Sequence, residues 1–170
     1  MESSTAYYQS PIGTLLVTAY GDSIAEILFA NSLKGQTVNE DEVDYTVPAS
    51  PVIKKCFRQL DEYFSGERKK FDLKLTFSGS TFQRQVWSEL TNIPYGKHIS
   101  YLTLSKKIDN VKAVRAVGSA NGSNKICIVV PCHRVIGSNG DLVGYGGDLW
   151  RKKWLLDHEA RIAHGVQELF

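Results

Sequence analysis

At 170 residues, with 42% hydrophobic and 22% charged residues, the chain suits one globular domain or two small ones and has ordinary composition for a soluble protein. No run approaches the roughly 20 apolar residues of a membrane span, and the polar start Met1-Glu2-Ser3-Ser4 lacks the basic region and apolar stretch of a signal peptide, so a cytoplasmic protein, nuclear in a eukaryotic source, is expected. The net charge of +2 conceals an asymmetry: residues 1–80 hold 8 Lys and Arg against 11 Asp and Glu, and residues 81–170 hold 12 against 7, so the second half is the one suited to phosphates.

Tyr7 to Phe29 reads as hairpin strands, with turn signals at Ser10-Pro11-Ile12-Gly13 and Tyr20-Gly21-Asp22 between β-rich runs. After an acidic loop from Asn39 to Asp44, Ser50 caps a helix with Pro51 at its first position. Ile53, Cys56, Phe57, Leu60 and Phe64 then recur at helical spacing until Gly66, which makes Cys56 a core residue. Phe71, Leu73, Leu75 and Phe77 alternate with polar residues, the pattern of a half-buried strand, and Ser78-Gly79-Ser80-Thr81 reads as a linker. A first domain over residues 1–79 and a second over 80–170 follow.

The second domain opens with a capping box, Ser80 and Gln83, ahead of a helix carrying Phe82, Val86 and Leu90 on one face. Ser100 caps a short helix with Tyr101, Leu104 and Ile108 on one side. A third helix runs from about Lys112 to Asn121 and completes a helix-turn-helix. On it Ala113, Val117 and Ala120 share the buried side, and Arg115, Ser119 and Gly122 fall opposite. In the last helix Leu155, Leu156, Glu159 and Ile162 lie on one side, so Glu159 should be partly buried and need a partner. Candidates are His133 or a surface pairing with Arg151, Lys152 or Lys153.

The three cysteines, Cys56, Cys127 and Cys132, form no C-x-x-C pair and leave one over in any disulfide scheme, which favours free thiols. Neither Cys nor His precedes Cys56, and no metal site is expected. The run Ile128-Val129-Val130-Pro131-Cys132-His133-Arg134 ends an apolar, strand-like segment with a cysteine between proline and histidine. Pro131 should bend the chain there, and on a turn the imidazole can take the thiol proton, leaving the thiolate that attacks carbon. On a regular strand the two side chains would face apart, and Cys132 would be a small buried residue closing the core.

Phe82-Gln83 with Val86-Trp87, Ile93-Pro94-Tyr95-Gly96, Ser100-Tyr101, Arg115-Ala116-Val117-Gly118, Asn121, Asn124, Pro131 to Ile136, Gly144-Tyr145 and Leu155-Leu156 together resemble one family, the methylated-DNA:protein-cysteine methyltransferases, which repair 6-O-alkylguanine. The resemblance covers at least Phe82 to Glu159. It implies an α+β fold of two small domains: an N-terminal ribonuclease-H-like α/β domain, mainly structural, and a C-terminal, mostly helical, winged helix-turn-helix domain that binds DNA. The implied reaction is irreversible, single-turnover transfer of the alkyl group from 6-O-methylguanine, and secondarily 4-O-methylthymine, to Cys132. No cofactor is needed, since the DNA supplies the group.

By the same resemblance Cys132, His133, Glu159, Tyr101 and Asn124 are the catalytic set. Glu159 orients His133, His133 helps deprotonate Cys132, Tyr101 donates to the departing guanine, and Asn124 is the hinge tying the recognition helix to the active-site turn. Tyr101, Val135, Tyr145 and Gly146 would bind the base, with the main-chain carbonyls of Cys132 and Val135 accepting from its amino group. Tyr101, Ala113, Arg115, Ala116, Ser119 and Arg134 would face double-stranded DNA. The third helix would enter the minor groove with Arg115 filling the place of the extruded nucleotide, since a guanine oxygen inside the stack is closed to a thiolate. The partner is a duplex containing alkylated guanine; no membrane or obligate protein partner is implied, and a monomer is expected.

Two departures from the family pattern stand out, Lys125 where relatives usually have proline and Asp148 where glycine is common. They bear on the rigidity of residues 124–130 and on the size of alkyl group the pocket takes. The residues taken alone leave other readings. A module that binds alkylguanine without transfer would not need Cys132, and a cysteine hydrolase would need an oxyanion-hole motif. A helix-turn-helix regulator would need a dimer. Arg115 can also be a solvated charge, Tyr101 a packing aromatic at a helix start, and Asn124 a turn residue.

Overall fold

Strand alternation near the start of the chain produces an antiparallel meander: β1 (Ser3–Ser10), β2 (Gly13–Tyr20) and β3 (Ser23–Phe29), in that order, with Tyr7 opposite Leu16 and Leu15 opposite Phe29. The computed structural model describes residues 2–33, 35–143, 145 and 147–165. Leu15, Val17, Ala19, Ile24 and Ile27 are buried, and helix α1 (Pro51–Phe64) packs on the sheet with Ile53, Cys56, Leu60 and Tyr63. The Ser50 hydroxyl accepts from the Ile53 amide at 3.4 Å, as expected of the cap. Such a cap is worth about 1 kcal/mol. Burial pushes the Cys56 thiol up to about 12, which leaves it unreactive.

The stretch 71–77 is not the strand its alternation predicts. It makes a single bridge, Ile24 with Leu75, through Ile24 N–H to the Lys74 carbonyl (2.8 Å) and Thr76 N–H to the Ile24 carbonyl (2.9 Å). Three residues further along, β3 pairs with a different segment: Ile27 N–H donates to the Lys125 carbonyl and Cys127 N–H to the Ile27 carbonyl, both at 2.9 Å. That edge of β3 is thus shared between two short stretches, and neither can extend. Lys125–Cys127 accordingly belongs with the chain through Phe77 in one structural unit, while Ser78–Asn124 and the chain from Ile128 onward form the second.

In the second unit, helix α2 (Thr81–Leu90) begins with the expected capping box: Gln83 N–H to the Ser80 hydroxyl (3.1 Å) and Ser80 N–H to the Gln83 side-chain oxygen (2.9 Å). Trp87 donates its indole N–H to the Ala120 carbonyl at 2.8 Å, fastening α2 to α4 (Val114–Gly122). Between them lie β4 (Ile99–Ser100), α3 (Tyr101–Lys107) capped by Ser100, and a 3-10 turn at Val111–Ala113 leading into α4. Helices α3 and α4 are the helix-turn-helix pair. Strand β5 (Val135–Ile136) pairs in parallel with β4, Ile99 with Val135 and Ser100 with Ile136. Helix α5 (Leu149–His164) follows. No described helix is long and apolar enough to cross a membrane.

The segment Ile128–Val130 is also not strand. It forms turns, with Ile128 at φ 72°, and the side chains of Ile128 and Val130 are buried.

Candidate active site

Two short elements fix the reactive turn. The parallel β4–β5 pair places Cys132–Arg134 immediately before Val135, beside Ile99, and Tyr101 immediately after Ser100, beside Ile136, so the ladder ties the turn and the start of α3 to its two opposite ends. Pro131 (φ −83°, ψ 62°) leads Cys132, His133 and Arg134 into a 3-10 turn, closed by Arg134 N–H to the Pro131 carbonyl at 3.0 Å. Tight winding separates the cysteine and histidine side chains from strand alternation, which is what the proline predicted.

Two asparagines at the end of α4 hold this turn. Asn124 Nδ2 donates to the Val130 carbonyl (2.9 Å) and to Cys132 Sγ (3.1 Å), and Asn121 Nδ2 donates to the Cys132 carbonyl (3.3 Å). A donor aimed at sulfur favours the thiolate over the thiol. The Cys132 carbonyl also accepts from Val135 N–H, and Val135 itself is fully buried in β5.

Glu159 and His133 are both buried, at 1% and 0% exposure, with His133 Nε2 2.7 Å from Glu159 Oε2. Arg134 completes the set: Nε donates to Glu159 Oε1 (2.7 Å), Nη2 to Oε2 (3.0 Å) and Nη1 to the Ile93 carbonyl (2.7 Å), and the guanidinium lies over the Tyr95 ring. Burial alone would raise the Glu159 carboxyl, but His133 and Arg134 outweigh it and hold the group well below the usual carboxylate range. Burial lowers the His133 pKa, against the pull of Glu159, and Arg134 and Lys152 lower it further. A neutral imidazole beside a carboxylate carries its hydrogen on Nε2 and keeps Nδ1 as the acceptor. Nδ1 is buried and has no hydrogen-bond partner among the described residues.

Arg134 therefore does not belong with the DNA-facing residues. Its fork is 7% exposed and spent on Glu159 and Ile93, because a carboxylate buried this deeply requires a bidentate partner. The surface alternatives for Glu159 also fall away: Lys153 pairs with Asp157 (2.7 Å) and Arg151 with Asp148 (3.4 Å). Arg115, Ala116 and Ser119 are exposed on α4, and Ala113 is half-buried at its start.

Tyr101, half-buried at the start of α3, donates its hydroxyl to the Val143 carbonyl at 2.9 Å. Burial first, then the charge on Cys132, push its phenol up to about 12, against a hydrogen bond with Asn121. Tyr145 is buried. Gly146, also expected at the base pocket, lies outside the described residues, as does Gly144. Two polar residues join the site without a role assigned from the sequence. Asn121 was visible only as part of a motif, and Lys152 only as one of three surface cations offered to Glu159, whereas it is buried and donates to the Val143 carbonyl.

Both units match known family models: residues 4–77 the ribonuclease-like domain, and residues 81–161 the DNA-binding domain, of 6-O-methylguanine DNA methyltransferase. A methylated-DNA–protein-cysteine methyltransferase of Methanosarcina acetivorans is 44% identical over 154 residues, covering 91% of this chain and 96% of that protein. The crystal structure of the Mycobacterium tuberculosis O6-methylguanine methyltransferase superimposes with a TM-score of 0.80 at 38% identity, over 97% of each chain. The Mycobacterium tuberculosis OGT in complex with DNA gives 0.81 at 37% identity, over 93% of each. With both units matched in order and identity sustained over nearly the whole length, the chain belongs to the methylated-DNA–protein-cysteine methyltransferase family.

Proposed function

We propose that Cys132 takes the alkyl group of 6-O-methylguanine in double-stranded DNA onto its own sulfur, once per protein molecule. The observation that carries this reading is the polar set around one thiol, with Asn124 on the sulfur and His133, next in the same turn, paired with buried Glu159 of α5. A sulfur–carbon bond forms as the carbon–oxygen bond of the lesion breaks. The thiol proton passes to His133 Nδ1, Glu159 holds the resulting imidazolium, and the departing guanine takes its proton from the Tyr101 hydroxyl. A thioether has no ready leaving group, so the protein is not regenerated.

The base has to leave the stack to be reached. The exposed, small-residue face of α4 suits close approach to the minor groove, with Arg115 filling the vacated place and Ala113, Ala116 and Ser119 against the backbone. Tyr145 walls the pocket, with the Val135 carbonyl as a polar contact for the base. The protein acts as a monomer. Intact and peptide masses after mixing with a duplex carrying one 6-O-methylguanine are the test. One methyl on Cys132 at one equivalent, absent in Cys132→Ser, is expected; tight lesion-dependent binding with unchanged mass would make this a recognition protein and remove the proton path.

A further inference from the structure

The Asn121 carboxamide, 2% exposed near the end of α4, has its nitrogen committed to the reactive turn and its oxygen committed to nothing. Nδ2 donates to the Cys132 carbonyl at 3.3 Å. The same nitrogen serves Tyr101: the hydrogen bond between them pulls the phenol down, as a bond donated to the phenol oxygen does, and Nδ2 is the one donor in that side chain. Turning the amide over would set its oxygen against the Cys132 carbonyl, so the orientation is fixed. Oδ1 is buried and has no hydrogen-bond partner among the described residues. A buried acceptor without a donor is costly, and in a native fold it calls for an explanation.

The neighbouring acceptors decide which donor suits it. The Cys132 carbonyl already accepts from Val135 N–H and from Asn121 Nδ2, which uses both of its lone pairs. Nothing is left there for the exocyclic amino group of a bound guanine, the contact that the family pattern gives to this carbonyl. The Val135 carbonyl would take one hydrogen of that amino group, and the second still needs an acceptor. We propose that Asn121 is a specificity-determining residue: its Oδ1 accepts the second amino hydrogen of the extruded guanine and so favours 6-O-alkylguanine over alkylated bases without an amino group there. This rests on the reading that the base enters beside Cys132 for transfer. On its pairing edge 4-O-methylthymine carries acceptors alone, and it would leave Oδ1 unsatisfied. A site built around a polar contact rejects an analogue lacking that contact more sharply than an apolar wall does.

The test compares the full chain as wild type and Asn121→Leu on three duplexes differing in one base. These carry 6-O-methylguanine, 6-O-methylhypoxanthine, which is the same purine without the amino group, and 4-O-methylthymine. Methyl on Cys132 is followed by peptide mass under single-turnover conditions, and affinity is measured on a Cys132→Ser background. Wild type should prefer the guanine lesion to the hypoxanthine lesion about tenfold or more in both readouts. Asn121→Leu should cut that preference to about threefold, the share left to Val135, and keep thymine-lesion affinity within about threefold of wild type. Loss of the Nδ2 contacts to Cys132 and Tyr101 slows all three duplexes alike and cancels in the ratios.

A wild type that treats the two purines alike would overturn the proposal, whether or not the variant folds. So would an undiminished preference in an Asn121→Leu protein whose thermal melt shows it folded. Absence of methyl on wild-type Cys132, with the affinity preference for the amino-bearing purine intact, would instead remove the reading of transfer and leave the Asn121 contact standing.

Discussion

Glu159 serves the Arg134 guanidinium and the His133 imidazole at once, and that sharing is where single-residue chemistry and stability meet. Removing one member of a buried pair leaves the other uncompensated, at a cost of about 3 kcal/mol or more. Glu159→Gln should lower stability at pH 7 by that amount and slow transfer about a hundredfold, read from thermal melts and single-turnover rates. The pH dependence gives the sign. A carboxyl held below its unfolded value of about 4.3 stabilises the fold fully above that pH and ceases to do so as pH falls through the folded value. The wild type should therefore lose stability more steeply below about pH 5 than Glu159→Gln does. Cys132, His133 and Glu159 were legible in the sequence because a motif and a helical stripe single them out. Arg134 and Lys152 were not: an arginine fork fits a phosphate and a carboxylate alike, and lysine is a residue type ordinarily assigned to the surface.

At the scale of elements, the caps at Ser50, Ser80 and Ser100 were readable because each is settled within three residues. The stretches 71–77 and 128–130 were not, because strand formation depends on which distant segment holds the edge of β3, and alternation carries no record of that competition. The entry to α5 shows a related tension. Asp148 sits at φ 74° and ψ 150°, a conformation that costs a non-glycine residue about 1–3 kcal/mol, offset in part by its ion pair with Arg151. Asp148→Gly should raise stability by about 1 kcal/mol, and Asp148→Ala, which keeps the strain and loses the pair, should lower it by a similar amount. Denaturant midpoints of the two variants decide this, with transfer rates recorded alongside.

For the whole molecule, the division of charge, acidic through residue 80 and basic beyond, matches the division of labour between a sheet unit and a helical unit that meets DNA. Arg115, exposed on α4, tests whether duplex access is a separate step from chemistry. Arg115→Ala should slow methyl transfer from a duplex by about tenfold or more and leave transfer from free 6-O-methylguanine base unchanged; equal losses on both substrates would place Arg115 in the chemistry instead.

The pairing of Ile27 with Ile126 gives the chain an unusual wiring. The backbone crosses from one unit to the other three times, after Phe77, after Asn124 and after Cys127, the last two crossings flanking three residues that lie between Asn124 and Cys132. Cutting at the apparent linker near Ser78 would therefore strip residues 125–127 of their strand partner, leaving the Lys125 carbonyl and the Cys127 amide to find water. Insertions or fusions meant to exchange the first unit have to carry a strand equivalent to β3 with them. Strand β3 is in this way the anchor of the three residues from which the chain runs on to the turn at Cys132.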